Sequence, residues 1–389
     1  MRIPVHETLS EEESLLLKTA RSVSKSFGRS YWLEKWERNE PPDELWEEMR
    51  RQGLAGVGIP ERYGGSGFGL MGAVLTQEAL ALEGLPVLQF LVTHFSRHMV
   101  LLAGNEDQIR RFVTPTCTEG KRMSFALTEP EAGSNTWRIS TLARKESDGY
   151  VITGQKVYTS GARESDFMLL VARTKRYEEV GDKRYGISLF VLETSDPNIK
   201  MERLDIDMRG PEWQYAVYFD SVRVPEENLI GKEGEGHKAL FEGLNVERLL
   251  IASIAVGLGD FALSKAVDYA KSRRVFDVPI GSHQGLQFPM AKAAAHLEAA
   301  RSVIYNATRL YDQFGKGLEL ANIAKLLSSE AGLEALDIAM QAFGGYAFDL
   351  GTDLINLYPI LRLFKTAPVT NELVLSYIGT HVLGLPKSY

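Results

Sequence analysis

One carboxylate, Glu247, falls where the sequence otherwise places apolar residues. In the stretch FEGLNVERLLIASIAVG, residues 241–257, a helical period puts Leu244 and Ile251 on one stripe, and Glu247 lies on that stripe between them. Burying an unpaired carboxylate costs several kcal/mol, so this one must be paired, protonated or used in chemistry. Glu247 is therefore a candidate general base, and the alternative is an ordinary Glu–Arg pair with Arg248 at the surface.

Two motifs in the middle of the chain combine hydroxyl groups with features that suit a flat or phosphorylated ligand. FALTEPEAGSN, residues 125–135, begins as a strand and ends in a turn that offers backbone N–H groups and the hydroxyls of Thr128 and Ser134. In GQKVYTSGA, residues 154–162, a strand would project Tyr158 and Ser160 to the same face. The alternatives are an ordinary turn and an ordinary cross-strand pair.

Two later motifs could meet a phosphate group. In SRRVFDVPIGSHQ, residues 272–284, Arg273 follows a predicted long helix, and a guanidinium at a helix end suits a pyrophosphate. QAFGGY, residues 341–346, ends a helix with two glycines, where a ligand can approach the backbone. The helix dipole alone would also explain the arginine, and a helix C-cap alone would explain the glycines.

Other patterns argue against competing chemistries. GFGLMG, residues 67–72, matches the dinucleotide pattern GxGxxG, but it follows a loop and no βαβ unit surrounds it, so a loop leading into a helix is predicted. His94 and His98 are four residues apart and lack a third ligand, which favours packing over metal binding. No GxSxG or HExxH pattern occurs, and no metal is expected.

Composition narrows the class of protein further. The 389 residues carry a net charge of −7, which argues against a broad nucleic-acid or anionic-membrane surface. The single cysteine, Cys117, excludes a disulfide framework. No run reaches the ~18 uninterrupted apolar residues needed to span a membrane, and the first residues show no signal pattern. A cytoplasmic location is the expectation, although a processed organellar protein would have the same sequence.

The residue patterns change twice along the chain and predict an α+β protein of three domains. Residues 1–121 have helical punctuation, including a capping box between Ser10 and Glu13. Residues 122–232 hold about six short β-branched and aromatic runs, which predict an antiparallel β-barrel or sandwich. Residues 233–389 return to long helical periods with alanine-rich faces, which predict a four-helix bundle.

Taken in this order, the five motifs ALTEPEAGSN, GQKVYTSGA, ERLLIASIAVG, RRVFDVPIGSHQ and QAFGGY resemble the acyl-CoA dehydrogenase family over nearly the whole chain. The resemblance implies a helical N-terminal domain, a β-barrel and a four-helix bundle. It also implies FAD-dependent desaturation of an acyl-CoA thioester in fatty acid metabolism, with hydride transfer to flavin N5. The implied partners are an electron-transfer flavoprotein as electron acceptor and further copies of the chain in a homo-oligomer, a dimer of dimers.

The resemblance also implies roles for individual residues. The isoalloxazine edge would be held by Phe125, Leu127 and Thr128, covered by Tyr158 and reached at N5 by Ser160. The substrate would be bound by Ser134, Asn245 and Arg248, with Ser134 also near the cofactor. The remaining implied cofactor contacts lie in the C-terminal part, and all but the last two would reach the FAD of a neighbouring subunit: Arg273, Phe276, Gln284, Gln341, Gly344, Gly345, Thr370 and Glu372.

This chain departs from the family pattern at three places. Asn135 stands where Asp is usual, and Asp277 stands where Gly is usual. In many members the base is the Glu of a C-terminal YEGTSEIQ segment, but the corresponding APVTNELV segment has Pro368 there. The isovaleryl-CoA and long-chain branches instead carry the base as the Glu of LDxER, and this chain has LNVER, which makes Glu247 the predicted base.

Partial desolvation is expected to raise the pKa of Glu247 toward neutrality. Two other functions remain open on the same scaffold. One is a flavin-dependent oxidase or hydroxylase, and the other is a non-catalytic acyl-CoA-binding protein.

Overall fold

The computed structural model describes residues 2–387, and the chain forms two compact units. Unit 1 comprises Met1–Leu33, Leu70–Pro86 and Arg248–Tyr389, and unit 2 comprises Glu34–Gly69 and Val87–Glu247. The sequence order is nevertheless helical, then β, then helical, as predicted.

The first part of the chain is helical. The predicted capping box is confirmed, because the Ser10 N–H donates to Glu13 and the Glu13 N–H donates to the Ser10 hydroxyl. Gly28 interrupts the first helix with φ +70°, a backbone angle that favours glycine. GFGLMG leads into a helix that begins at Gly69, as predicted. The helices are α1 Glu11–Glu37, α2 Asp43–Arg51, α3 Gly69–Ala81, α4 Leu88–Ala103, α5 Glu106–Gln108 and α6 Thr114–Thr118, with a π-helical turn Ile109–Val113.

The middle part is one eight-stranded sheet. Its strands follow the order β6–β7–β3–β2–β4–β5–β8, with β1 paired in parallel to β4. This path is open among the described residues, so the predicted closed barrel is not confirmed. Most pairs are antiparallel, and apolar side chains such as Leu170, Phe190 and Val217 are buried in one core. The strands are β1 Met123–Ala126, β2 Leu142–Glu146, β3 Gly149–Ser160, β4 Phe167–Arg173, β5 Ile187–Glu193, β6 Ile199–Arg203, β7 Gln214–Pro225 and β8 Leu229–Ile230.

The last part contains three long helices and a broken fourth segment. Pro359 and Pro368 punctuate the region after Asp353, and two short helices replace the predicted long one. The four-helix bundle is therefore not confirmed. A two-stranded hairpin links the first two long helices. The elements are α7 His237–Ser272, β9 Arg274–Val275, β10 Val278–Pro279, α8 Gln284–Phe314, α9 Leu320–Phe343, α10 Tyr358–Leu363 and α11 Asn371–Tyr377.

Helix α7 is long and apolar enough, by length and composition alone, to cross a membrane. However, 78% of its most apolar window is buried within the protein, as is usual for the core helix of a folded domain.

A network of buried charges ties the helices of unit 1 together. Arg301 of α8 contacts Glu78 of α3 through Nε at 2.8 Å and also contacts Asp260 of α7. The Tyr305 hydroxyl donates to Glu78 at 2.8 Å, and His6 lies 3.0 Å from the same carboxylate. Burial works against ionisation of Glu78, but Arg301 and these donors outweigh it and hold the pKa of Glu78 at about 2.

Replacing Arg301 with Met should lower the free energy of unfolding by about 3–5 kcal/mol, because buried carboxylates lose their cation. The change is measured by urea denaturation. Arg38→Met is the control, because its partner Glu34 is exposed and such pairs contribute about 0–1 kcal/mol. Equal losses in the two variants would contradict the stabilising role assigned to Arg301.

Candidate active site

A buried lysine holds the FALTEPEAGSN segment against strand β3. The Lys156 ammonium is fully buried and donates to the Leu127 carbonyl at 2.7 Å and to Glu129 Oε1 at 2.9 Å. The Val157 N–H donates to the Thr128 carbonyl at 2.8 Å. The structure therefore brings two predicted flavin-edge residues, Leu127 and Thr128, directly beside the strand that carries Tyr158.

The Glu129 carboxylate completes this clamp from the other side. It accepts hydrogen bonds from the Ser140 N–H and hydroxyl and from the Thr141 N–H. Burial works against ionisation, but Lys156 and these donors outweigh it, so the pKa of Glu129 is lowered. Burial is also the largest influence on Lys156, and it lowers the pKa of Lys156 to about 8 although Glu129 opposes that shift.

A β-bulge turns Tyr158 outward. The pairing of β3 with β7 shifts between Lys156 and Thr159, and Tyr158 has φ +57° within that shift. Lys156 and Thr159 are buried, whereas Tyr158 is 60% exposed. Two residues on, the Ser160 hydroxyl exchanges hydrogen bonds with the Gln214 amide. A flat polar ring could stack on the tyrosine with this hydroxyl and amide at its edge.

The other predicted residues of the middle region lie in different settings. Phe125 packs edge-on against Phe95 of α4, with ring centroids 5.0 Å apart. Ser134 is exposed in the turn after Glu129, together with Asn135, one of the three departures from the family pattern. Ser134 and Asn135 therefore remain accessible to a ligand.

Glu247 lies on α7 between buried neighbours. Val246 and Leu249 are fully buried, and Glu247 itself is half-buried, as are Asn245 and Arg248. Of the two residues of the predicted apolar stripe, Ile251 is buried and Leu244 is half-buried. Glu247 thus combines partial desolvation with access to a ligand, as a general base requires.

In unit 1, an open groove brings together four predicted cofactor residues. Arg273, Gln341, Gly344 and Gly345 line a groove of about 630 Å³, and neighbouring rings of Tyr269 and Phe343 stack at 4.2 Å. Gly344 has φ +59°, and a Cβ added at Gly344 or Gly345 would meet no atom within 4 Å. Bare backbone, a guanidinium and an amide are the groups that bind a pyrophosphate, so this groove fits the phosphates of a dinucleotide such as FAD.

Two further predicted residues of this set lie outside that groove. Phe276 is 88% exposed at the tip of the β9–β10 hairpin, where Phe276 and Asp277 both have positive φ. Asp277 tolerates this angle where the family usually has glycine. Gln284 is exposed at the start of α8.

The segment around Pro368 is held by a buried lysine. Lys325 of α9 donates to the Val369 carbonyl at 2.6 Å and to the Asn371 side chain at 2.7 Å. Burial, followed by the nearby Arg248, lowers the pKa of Lys325 to about 8. Thr370 caps α11 by accepting the Leu373 N–H, and Glu372 is exposed in its first turn. The structure gives Thr370 a capping contact, and its predicted role toward a cofactor stays a prediction.

The two histidines of α4 are packing residues in this structure. Burial lowers the pKa of His94 well below its usual value and that of His98 to about 4, in both cases with a contribution from Arg97. His94 Nδ1 lies 3.3 Å from the Arg97 guanidinium. Within residues 2–387 no cluster of three or more potential metal ligands occurs.

Sequence reasoning missed Lys156, Gln214 and Lys325. A lysine in a strand or helix pattern usually indicates a solvent-facing position, and these two lysines are fully buried. The signal available for Lys156 was the set of carboxylates in the TEPE stretch of the preceding motif, together with the apolar Val157 that follows the lysine. No comparable local signal marks Gln214, which meets Ser160 only through the β3–β7 pairing.

Comparison with known proteins gives one consistent result. Family models described as the N-terminal, middle and C-terminal domains of acyl-CoA dehydrogenase match residues 10–120, 124–222 and 234–383. Acyl-CoA dehydrogenase FadE12 of Mycobacterium tuberculosis is 37% identical over 384 residues, covering 98% of each chain.

Two solved structures are similar in fold as well. One is butyryl-CoA dehydrogenase from Megasphaera elsdenii, with TM-score 0.91, 28% identity and coverage of 96% of this chain and 99% of that chain. The other is a chain in a structure described as an electron transferring flavoprotein of Acidaminococcus fermentans, with TM-score 0.92, 28% identity and coverage of 96% and 98%.

The buried Lys156 should make stability depend on pH in a defined window. Its pKa is about 8 in the folded protein and 10.5 as the ordinary value, so between these pH values the unfolded chain binds more protons. The contribution of Lys156 to the free energy of unfolding should therefore rise as pH increases from about 8 to about 10.5. Denaturation of wild type and Lys156→Met across this range measures it.

The rise should be smaller in Lys156→Met than in wild type. Lys145→Met is the control, because Lys145 lies on strand β2 with its ammonium exposed. Identical pH dependence in all three proteins would show that Lys156 titrates as an ordinary lysine.

Proposed function

The chain belongs to the acyl-CoA dehydrogenase family, and from that premise we propose that Glu247 is the base that removes the α-proton of its substrate. The protein is an FAD-dependent oxidoreductase that acts on the CH–CH bond of acyl-CoA thioesters. The observation that carries the proposal is a half-buried carboxylate among buried neighbours on α7, in a chain that has a proline at position 368.

The chemistry explains why such a carboxylate is needed. The α-proton of a thioester is weakly acidic, so its removal requires a base held against the Cα–H bond and donors that polarise the carbonyl. FAD, when bound, supplies the acceptor for the β-hydrogen as a hydride. Glu247 takes the α-proton, and the buried residues beside it hold its stem on a rigid helix and limit access of water.

The remaining residues are proposed to bind and orient the ligands. Leu127 and Thr128 would meet the isoalloxazine edge, with Phe125 beside them and the exposed Tyr158 ring covering it. Ser160, oriented by Gln214, would reach the ring nitrogen. Ser134, Asn245 and Arg248 would contact the CoA ester. Lys156 contacts no ligand in this proposal and acts by fixing the backbone of the 127–129 segment.

We further propose that the groove containing Arg273 and Gly344 completes the FAD site of another copy of the chain. The proposal is supported by large apolar side chains that unit 1 leaves exposed, which a partner subunit would cover. They include Phe276, Phe288, Phe314, Tyr346, Phe348 and Leu350. A dimer is the smallest assembly in which one copy can complete the FAD site of another, and a dimer of dimers is the assembly we propose.

We propose an electron-transferring flavoprotein as the electron acceptor. The support is the similarity to a chain in the structure of such a protein from Acidaminococcus fermentans and to the acyl-CoA dehydrogenases.

Glu247→Gln should slow flavin reduction by acyl-CoA by at least about 10²–10⁴-fold, because the amide keeps the shape and loses proton acceptance. FAD content and acyl-CoA binding should survive. Anaerobic stopped-flow bleaching of the flavin measures the rate with a panel of acyl-CoAs. Glu242→Gln, on the same helix, and Pro368→Ala are controls that should reduce at the wild-type rate.

If the flavin of Glu247→Gln is bleached by acyl-CoA at the wild-type rate, the base is another group. Rapid reoxidation of the reduced wild-type flavin by air would instead favour an oxidase or hydroxylase on this scaffold. A protein that binds acyl-CoA without any bleaching would be a binding protein.

Arg273→Ala should weaken FAD binding by removing a cation from the proposed pyrophosphate site, without changing the helical circular dichroism. Equilibrium dialysis of FAD and light scattering measure affinity and assembly. Lys271→Ala, two residues earlier and exposed, is the matched control. A monomer that holds FAD as tightly as the assembled protein would contradict the shared site.

A further inference from the structure

Helix α4 takes its N-terminal cap from a residue that is distant in sequence. Its N-cap residue is Val87, whose side chain has no hydrogen-bond acceptor, so the first N–H groups of the helix need an acceptor from elsewhere. The Glu212 carboxylate supplies it from the loop before β7. One carboxylate oxygen accepts from the Leu88 N–H at 2.6 Å, and the other accepts from the Gln89 N–H at 2.8 Å. These four residues are buried within unit 2.

The two residues after Glu212 hold the end of β3, where the proposed flavin contact Ser160 lies. The Trp213 carbonyl accepts from the Gly161 N–H at 2.9 Å, and the Gln214 amide exchanges hydrogen bonds with the Ser160 hydroxyl. Three consecutive residues therefore contact either the start of α4 or the end of β3. A shift of Glu212 would move the backbone that orients the Ser160 hydroxyl.

Gln89 ties the start of α4 to the same turn. Its amide donates to Ser165 at 3.2 Å, and the Ser165 hydroxyl donates to the Gly161 carbonyl at 2.7 Å. Gly161 has φ +59°, and a Cβ built on it would lie 2.0 Å from Gln89 Oε1, so only glycine leaves room for this contact. Gln89 also donates to the Thr93 hydroxyl, which accepts from the Met123 N–H at 3.1 Å. The first two turns of α4 are thus bonded to the end of β3 and to the start of β1, the strand that leads to the flavin-edge residues.

A charged side chain in this buried position is unfavourable by itself. Burial raises the pKa of Glu212 to about 7, although the two N–H groups and Arg122 oppose the shift, and Glu164 adds to it. A glutamine of the same shape would avoid the charge, but its NH₂ group would face one of the two backbone N–H donors. The carboxylate is therefore the side chain of this shape that accepts from both.

We propose that Glu212 is a positioning residue for the flavin: by accepting both N–H groups it fixes the start of α4 against the 212–214 segment, and this holds the Ser160 hydroxyl where it reaches the flavin ring nitrogen. The inference rests on the proposed function, which places Ser160 at that nitrogen. Glu212 contacts no ligand in this arrangement. A carboxylate that only capped a helix would affect stability alone, whereas a positioning residue also changes the environment of the bound flavin.

Glu212→Gln should change the bound flavin in the oxidised protein without any substrate. The Kd of FAD should rise by about tenfold, the effect of losing one well-oriented hydrogen bond. The visible absorption maximum of the bound flavin should shift in the same direction as in Ser160→Ala. Equilibrium dialysis of FAD and absorption spectra measure both effects at pH 8, where Glu212 is ionised.

Asp312→Asn is the matched control, because Asp312 caps the start of α3 in the same way. Its two carboxylate oxygens accept from the Leu70 N–H at 2.7 Å and from the Met71 N–H at 2.8 Å. Both variants should lower the midpoint of urea denaturation, because each removes a bidentate helix cap. Only Glu212→Gln should change the Kd of FAD and the flavin spectrum.

A double-mutant cycle shows whether Glu212 acts through Ser160. Adding Glu212→Gln to Ser160→Ala should leave the flavin spectrum of Ser160→Ala and change the Kd of FAD by less than about twofold, because the hydroxyl that Glu212 positions is already absent. Gln89→Met is a second variant in case Glu212→Gln does not fold. It keeps the cap on α4 and removes the bond to Ser165, so the flavin spectrum should shift as in Glu212→Gln.

Three results would overturn the positioning role. The first is a wild-type spectrum and FAD affinity in Glu212→Gln and in Gln89→Met, which would leave Glu212 as a helix cap only. The second is an unshifted spectrum in Ser160→Ala, and the third is additive effects of Ser160→Ala and Glu212→Gln. Because no substrate is used, bleaching of the wild-type flavin by acyl-CoA would leave the proposed function standing in each case. Failure of every acyl-CoA to bleach that flavin would overturn the proposed function, and the spectra would still decide the role of Glu212.

Discussion

The contact between the Lys156 ammonium and the carbonyl of Leu127 sets the geometry on which the proposed flavin site depends. A buried ammonium must find acceptors, and here they are a backbone carbonyl and the Glu129 carboxylate, both in the segment that follows β1. This fixes the 127–129 backbone against β3 at the point where β3 bulges. The bulge then sends Tyr158 outward while Lys156 remains inside. One buried ion pair thus fixes the path of the segment beside the bulge that turns the ring outward.

Unit 1 uses buried charge in a similar way, around Arg301 and around Lys325. Arg301 connects α8 to α3 and α7 through two buried carboxylates. Lys325 connects α9 to the segment after Pro368 through a carbonyl and an amide. Buried ion pairs contribute little net stability compared with apolar residues, so we infer that their main effect here is to allow only one arrangement of the helices. The helices held in this way bring Gln341, on α9, and Arg273, just after α7, to the same groove.

The sequence predicted the features that depend on a local residue pattern. It did not predict the features that depend on how distant segments pair. The capping box at Ser10, the start of α3 and the half-buried position of Glu247 were predictable, because each follows from residues within two turns of one another. The bulge at Tyr158 depends on the register of β3 against β7, and the open sheet depends on which strands lie at its edges. The broken fourth helix could have been predicted from Pro359 and Pro368, since proline cannot continue a helix interior. The burial of Lys156 and Lys325 was not predicted, because the position of a lysine in the sequence does not by itself distinguish a buried cation with hydrogen-bond acceptors from an exposed one.

The reaction determines where the base must lie relative to the substrate, but it does not determine which position of the chain supplies the base. The reaction needs a carboxylate against the α-proton, and any backbone that brings one there can supply it. In this chain position 368 is a proline in a short segment between α10 and α11, and Lys325 holds the carbonyl of the next residue. Glu247 instead projects from a helix of 36 residues, next to the fully buried side chains of Val246 and Leu249. A carboxylate on such a helix loses little conformational freedom when substrate binds, because packing has already restricted its backbone. Met99 fills the space left by the glycine one turn earlier, so α4 packs closely against the turn of α7 that precedes the base.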